Sequence, residues 1–351
     1  MQLDDLDTPS LIVDLDGLED NLDRYHRYFR HHGIGLRPHI KTHKCLAVAH
    51  RQLQCGAVGI TCQKLGEAEV MLAGGAGGDI LIPYNIVGAA KLARLAALAR
   101  QTRVTVAADS EVTVRGLGQA ARAGGAPIGV VIEIDCGRTG VGSTAAAVAL
   151  GQLIQTEPGL ELRGVMAMPT PPDIRAQLQE VLAAFDRAGL PHPIVSGGST
   201  PAALMAHEIP ELTEFRAGEY CVGGLAHLRR GTHTVAQCAL RVLMTVVSRP
   251  TAGRAIVDGG SKALSASLFS DASGTSMGHV VEYPEAHFAG ASEEHGHLDV
   301  SACPEPPAIG TRVQVIPVHP CPCVNEHDEV VAVRGNRVEA IWPVHARGCS
   351  R

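Results

Sequence analysis

Two short stretches carry residue types whose spacing could do chemistry. The first is Arg37-Pro-His-Ile-Lys-Thr-His-Lys44, which follows an apolar, strand-like run. A lysine at a strand end, shielded from water, loses its proton readily and can condense with a carbonyl as a Schiff base. Lys41 is the candidate, and an exposed surface lysine is the plain alternative. If the strand continues, period-2 alternation puts His39 and His43 on the side of Lys41. The second stretch is Pro317-Val-His-Pro-Cys-Pro-Cys323. His319 and Cys321 are two residues apart, so an extended chain points both to one face. Imidazole plus thiolate suits a borderline-soft divalent metal such as zinc. Two ligands leave room for water and substrate, which is a catalytic arrangement. Cys323 fits an extended chain less well as the second ligand. A proline-braced loop with a buried cysteine is the alternative.

Other stretches could hold an anion or a planar group. In Ser196-Gly-Gly-Ser-Thr-Pro201 the glycines let the backbone approach a phosphate, and the first N–H groups of a following helical stretch would bind it. Arg216-Ala-Gly-Glu-Tyr220 is a second glycine-bearing turn after a strand-like run. Arg138, in Glu133-Ile-Asp-Cys-Gly-Arg-Thr-Gly-Val141, has a rigid fork suited to a cofactor ring atom or a carboxylate. A rim ion pair with Glu133 or Asp135 is its alternative. One glycine-rich loop is usually a turn; two of them, opposite a candidate Schiff-base lysine, point to pyridoxal phosphate. His295, His297 and Asp299 form another polar cluster, either lining a site or solvated.

These residues need a scaffold that gathers strand ends. Apolar or β-branched runs at 35–40, 59–62, 79–83, 104–107, 128–134, 162–167, 193–195 and 212–215 read as strands. Helical patterns lie between them at 67–73, 89–99, 112–123, 145–155 and 173–188. Eight such units fit a (β/α)8 TIM barrel, whose sites sit at the C-terminal strand ends and whose phosphate sites favour the last two loops. A doubly wound sheet competes, but no Gly-x-Gly-x-x-Gly opens an early helix. Beyond residue 230 the pattern is strands: 236–248, 254–257, 312–317, 329–333 and 337–342. The expected organisation is a barrel over 1–230 and a C-terminal β-domain over 231–351 that carries the metal pair. Residues 8–14 read as extended, followed by a helix over 15–31.

Composition narrows the partners. A chain of 351 residues, 45% hydrophobic, needs no disulfides to build a core. A net charge of −6 with no basic block argues against nucleic acid and anionic membranes. No apolar run is long enough to span a bilayer, and the acidic start Met1-Gln-Leu-Asp-Asp-Leu-Asp7 lacks the apolar core of a secretory signal. Isolated cysteines such as Cys45, Cys55, Cys62 and Cys136 read as buried thiols of a reducing cytoplasm.

Together these motifs resemble the fold-type III pyridoxal-phosphate enzymes of the D-threonine aldolase and D-serine dehydratase group. The resemblance starts at Thr8-Pro-Ser-Leu-Ile-Val-Asp14 and includes the Lys41 stretch, Cys62-Gln-Lys-Leu-Gly-Glu-Ala-Glu69, Gly197-Gly-Ser-Thr-Pro201 and Arg216-Ala-Gly-Glu-Tyr220. It continues through Gly259-Gly-Ser-Lys-Ala-Leu-Ser265 and Glu293-Glu-His-Gly296 to the His319 and Cys321 pair. It implies an alanine-racemase-type barrel with a β-domain, and a homodimer whose active sites draw on both subunits. Lys41 would hold the cofactor. Gly198, Ser199, Thr200, Gly218 and Tyr220 would lie at its phosphate. Gln63 and Arg138 would face its ring or O3′. His319 and Cys321 would hold zinc or manganese beside the substrate hydroxyl. The implied reaction is retro-aldol cleavage of a β-hydroxy D-amino acid. β-Elimination, as in a D-serine or 3-hydroxyaspartate dehydratase, is the alternative; a racemase or a non-enzymatic cofactor carrier is more remote. His-x-Cys and Gly-Ser-Thr-Pro resemble the dehydratases, whereas the 62–69, 259–265 and 293–296 stretches resemble the aldolases. One departure stands out: Met166-Ala-Met-Pro-Thr-Pro171 lacks the histidine that both subgroups tend to carry there.

Overall fold

The structure, a computed structural model, describes residues 1–272 and 274–351. The chain forms two compact units. One comprises Tyr25–Lys41, Leu46–Gly218 and Cys349–Arg351; the other comprises Met1–Arg24, Thr42–Cys45 and Glu219–Gly348.

In the first unit eight parallel strands stand in the order Gly35–Leu36, Glu214–Arg216, Ile194–Gly198, Leu160–Ala167, Ile128–Ile134, Arg103–Ala108, Asp79–Ile82 and Ile60–Thr61. A parallel bridge between His39 and Thr61 joins the two ends, with the Thr61 N–H donating to the Pro38 carbonyl at 2.8 Å. The sheet therefore closes as a parallel-stranded β/α barrel. Leu81, Ala107, Val131 and Met166, one from each of four adjacent strands, pack into a cluster with no solvent exposure. Helices begin and end where local chemistry dictates. Glu111–Gly124 starts on Ser110, whose Oγ accepts the Thr113 N–H, and stops at Gly125 with φ +63°. Such a serine cap is worth about 1 kcal/mol.

The first strand is shorter than its apolar run suggests. Its regular part is Gly35–Leu36; the Arg37 and His39 N–H groups still donate to the Phe215 and Ala217 carbonyls, and the extended run stops where Ile40–Thr42 turn as a 3-10 helix. The alternation that would set His39 and His43 beside Lys41 does not hold. The stretch after Ser199 also differs from an α-helix, being a 3-10 helix over Thr200–Glu208.

The second unit is built on a nine-stranded sheet. Arg254–Val257 and Arg312–Pro317 have the bounds expected of them; the strand expected from 236 runs over Leu240–Thr251. Ser10–Asp14 lies inside this sheet, antiparallel to Leu240–Thr251 and parallel to Glu329–Arg334. The division therefore differs from a single cut at residue 230. Leu11, Ile12 and Val13 are consecutive and all buried. A strand with apolar groups on both faces needs an interior slot, and an edge would leave half of them wet. No helix among the described residues is long and apolar enough to cross a membrane.

Candidate active-site residues

Lys41 lies in the one-turn helix Ile40–Thr42, partly buried, just past a strand end. Its backbone N–H reaches His39 Nδ1 at 3.4 Å, and His39 Nε2 lies 3.0 Å from Gln63 Oε1. With Nδ1 accepting, the ring proton sits on Nε2 and is donated to Gln63. Burial first, and the Lys41 charge second, hold the His39 pKa well below its usual value, so the ring is neutral. Gln63 is held from the other side as well, its backbone N–H donating to Glu67 Oε2 at 2.6 Å. The Gln63 amide nitrogen is therefore left as the outward donor.

Gln63 and Arg138 line one cavity of about 520 Å³, together with Tyr84, Asn85, Lys91 and Glu133. That volume falls among small-ligand and cofactor sites. Arg138 is half exposed and 3.6 Å from Glu133 Oε1. Both sequence readings of this arginine therefore meet in one place: it pairs with Glu133 and faces the cavity. Lys41 and the 198–200 loop stand outside this lining.

The 198–200 loop is held tightly. Ser199 has φ +106°, a conformation that costs a non-glycine residue about 1–3 kcal/mol and persists only where neighbours impose it. Its N–H donates to the Arg216 carbonyl at 3.2 Å. The Gly198 N–H donates to Thr170 Oγ1 at 2.9 Å, and the Thr170 hydroxyl donates to the Ala167 carbonyl at 2.9 Å. Thr170, not singled out from the sequence, is thus the clamp of this loop. Under the loop lies Arg216, bonded to Ser196 Oγ at 2.9 Å and the Ala167 carbonyl at 2.8 Å. A Cβ on Gly198 would stand 3.4 Å from the Arg216 Cζ. Burial lowers the Arg216 pKa to about 10, which leaves it cationic at neutral pH. The Gly198, Ser199 and Ala202 N–H groups are thus engaged within the protein and Pro201 has none, so the expected cradle of N–H groups is not what this loop offers; its fit to a phosphate rests on the buried Arg216 cation beneath the glycine turn. Gly218, two residues past the strand Glu214–Arg216, is partly buried. Tyr220 belongs to the second unit and is fully buried; its carbonyl accepts His233 Nε2–H at 2.9 Å.

In the second unit, His319 and Cys321 come together with Glu219, one ligand atom of each lying within 4.8 Å of the others. The pair is not presented by an extended chain. His319 ends the extended run after Arg312–Pro317, and Pro320 opens the short helix Pro320–Asn325 that carries Cys321. Proline is favoured at a helix start because its missing N–H is not needed there. The strand-to-helix turn converges the two side chains. The His319 ring is half exposed, which leaves an open side. Hydrogen bonding to Cys321 and then Glu219 pushes its pKa up to about 10. Burial works to raise the Glu219 pKa, but His227 and His319 outweigh it and hold the carboxyl well below the usual range. Sulfur, nitrogen and oxygen donors at this spacing fit a divalent metal. Glu219 stands within the Arg216-Ala-Gly-Glu-Tyr220 stretch; its acidity beside Gly218 was the one sequence signal for it. Cys323 points elsewhere, its Sγ 3.2 Å from the Ala263 carbonyl. His295, His297 and Asp299 are exposed, and they do not join this cluster.

Comparison with known proteins follows the same outline. Residues 13–226 match the family described as alanine racemase, N-terminal domain, and residues 239–333 match a serine dehydratase domain. The D-threonine aldolase of Arthrobacter sp is 33% identical over 99% of this chain and 94% of its own length. The crystal structure of D-threonine aldolase from Filomicrobium marinum superposes with a TM-score of 0.90 at 34% identity, over 100% of this chain and 98% of that one. A cysteine-to-alanine mutant of D-threo-3-hydroxyaspartate dehydratase, solved in a metal-free form, superposes with a TM-score of 0.88 at 30% identity, over 98% of each chain.

Proposed function

Since the chain belongs to the D-threonine aldolase and D-serine dehydratase family of fold-type III pyridoxal-phosphate lyases, we propose that it cleaves β-hydroxy D-amino acids by the retro-aldol route, giving glycine and an aldehyde. The convergence of the half-exposed His319 ring with Cys321 on one turn, open on one side, supports a metal-assisted lyase, and the observation that carries the aldolase route is the likeness to D-threonine aldolases over the whole chain. When bound, pyridoxal phosphate supplies an electron sink that weakens the bonds at Cα, and a divalent metal supplies a Lewis acid at the β-hydroxyl.

The chain's own residues do the rest. Lys41 Nζ is the amine that carries the cofactor. The 198–200 loop, with Arg216 beneath it, receives the phosphate, and Gly218 lies at the next turn. Gln63, its carbonyl oxygen held by His39, presents its amide N–H groups to the ring oxygen. Arg138 adds a cation at the cavity rim. His319 Nε2 and Cys321 Sγ hold the metal, and the thiolate favours zinc over manganese. Behind the metal pair stands Thr42, whose hydroxyl meets Cys321. A homodimer completes this reading.

A second reading is β-elimination, favoured by the cysteine in the metal pair and by the likeness to a dehydratase. There Lys41 Nζ would be the base for the α-proton, and a metal held by His319 and Cys321 would receive the departing β-hydroxyl. In neither route does the 166–171 stretch move a proton, because Thr170 is committed to the loop and Met168 has none to give. Product analysis on D-threonine, with pyridoxal phosphate and zinc or manganese supplied, separates the routes. Glycine plus acetaldehyde is expected. 2-Oxobutanoate plus ammonia would overturn the aldolase reading in favour of dehydration.

A further inference from the structure

We propose that Glu219 is a third protein ligand of the metal and that His227 fixes its orientation, an inference that rests on the metal reading of His319 and Cys321. The Glu219 carboxylate divides its two oxygens. Oε1 stands 3.3 Å from His319 Nε2, and Oε2 accepts from His227 Nε2 at 3.1 Å. His227 is buried, with Thr232 Oγ1 3.4 Å from its other ring nitrogen. One carboxylate oxygen is thus anchored and the other is aimed at the space between His319 and Cys321.

The backbone explains why a residue a hundred positions away arrives there. Glu219–Cys221 is a 3-10 turn that Gly223 closes at φ +66°, its N–H donating to the Glu219 carbonyl at 2.8 Å. Gly224 follows, and a Cβ on it would stand 2.7 Å from Pro320 Cδ. Only glycine allows the turn bearing Glu219 to press against the turn bearing His319 and Cys321. The Ala226 N–H then reaches the Val318 carbonyl at 3.5 Å.

The donor set has the logic of a catalytic zinc centre: three protein ligands and one open position. Thiolate and carboxylate carry two negative charges, which balance a divalent cation. Two of the three ligands already have hydrogen-bonding partners behind them, His227 for Glu219 and Thr42 for Cys321. Outer groups of this kind orient metal ligands and typically alter affinity by about 10–100-fold.

The test is zinc affinity of the full-length, cofactor-loaded protein by competition with a chromophoric chelator. Wild type is compared with Glu219→Gln, His227→Leu and His319→Ala, with thermal unfolding and the cofactor's yellow absorption as controls. Glu219→Gln is expected to weaken zinc binding by at least about tenfold, and His227→Leu by about tenfold, with cofactor absorption unchanged. If folded Glu219→Gln binds zinc within twofold of wild type while His319→Ala loses it, the metal has two protein ligands and the inference falls. Should Glu219→Gln fail to fold, unchanged affinity in His227→Leu overturns it instead. A wild-type protein that takes up no zinc would sink the metal reading itself, and the third ligand with it.

Discussion

Thr42 Oγ1 lies 3.2 Å from Cys321 Sγ, a contact between residues 279 positions apart in sequence. Thr42 is fully buried, so its hydroxyl has little alternative to this partner. A hydroxyl that donates to a thiolate stabilises the charged form a metal needs. Thr42→Val keeps the shape and removes the donor. Zinc affinity is expected to fall about tenfold, read by chelator competition. Affinity equal to wild type would show the contact to be packing alone.

Lys41→Ala is expected to abolish both the yellow absorption of the bound cofactor and turnover. The amine is the only covalent anchor the reading provides. Catalysis surviving this change would displace the whole cofactor assignment.

Thr170→Val removes the acceptor of the Gly198 N–H and the donor to the Ala167 carbonyl. Ser199 then loses part of the frame that holds its positive φ. The expected outcome is weaker pyridoxal phosphate binding, by roughly tenfold for about 1–2 kcal/mol of lost hydrogen bonding. Fluorescence titration of the cofactor-free protein measures it. Little change should follow in zinc affinity.

Arg37 is buried between Glu214 at 2.8 Å and Asp79 at 2.7 Å. Arg37→Met leaves the Glu214 carboxylate buried and short of a cation. Removing one partner of such a pair costs about 3–5 kcal/mol. The urea midpoint should drop accordingly, whereas an unchanged midpoint would mean that water reaches Glu214.

His26 ties stability to pH. Burial first, and the Arg30 charge second, lower its pKa to about 4, against 6.5 when exposed; a hydrogen bond to the Cys55 backbone opposes them. Between these values the unfolded chain takes up a proton that the folded chain refuses. The stability this ring contributes is therefore full above pH 6.5 and is lost as pH falls toward 4, to a limit of about 3 kcal/mol. Urea midpoints of wild type and His26→Gln, measured from pH 7 to pH 4, should converge on acidification. Parallel curves would show that the ring titrates normally.

How much could be read in advance varied by element. Ile128–Ile134 and Ala89–Ala99 match the expected bounds because burial on both faces, or an amphipathic period, is written in consecutive residues. Lys41, the 198–200 loop and Arg138 could be singled out as candidates because a parallel barrel delivers strand ends to one rim, so position after a strand implies position in the fold. The partners of Ser10–Asp14 were not legible, since its three buried apolar residues demand a slot in a sheet without naming which strands flank it.

The candidate metal cluster shows the same boundary more sharply. Residue type and spacing within seven residues sufficed to single out His319 and Cys321, whose chemistry is intrinsic to imidazole and thiol. Tertiary structure decided that Pro320 turns the chain so that they converge, that Glu219 arrives from a hundred residues earlier, and that Thr42 and His227 stand behind Cys321 and Glu219. The physical reason is range. Short stretches specify backbone preference and side-chain reactivity, whereas a donor's distance to its partner depends on which turns can pack together. Here that depends on Gly224 having no Cβ to keep Pro320 away.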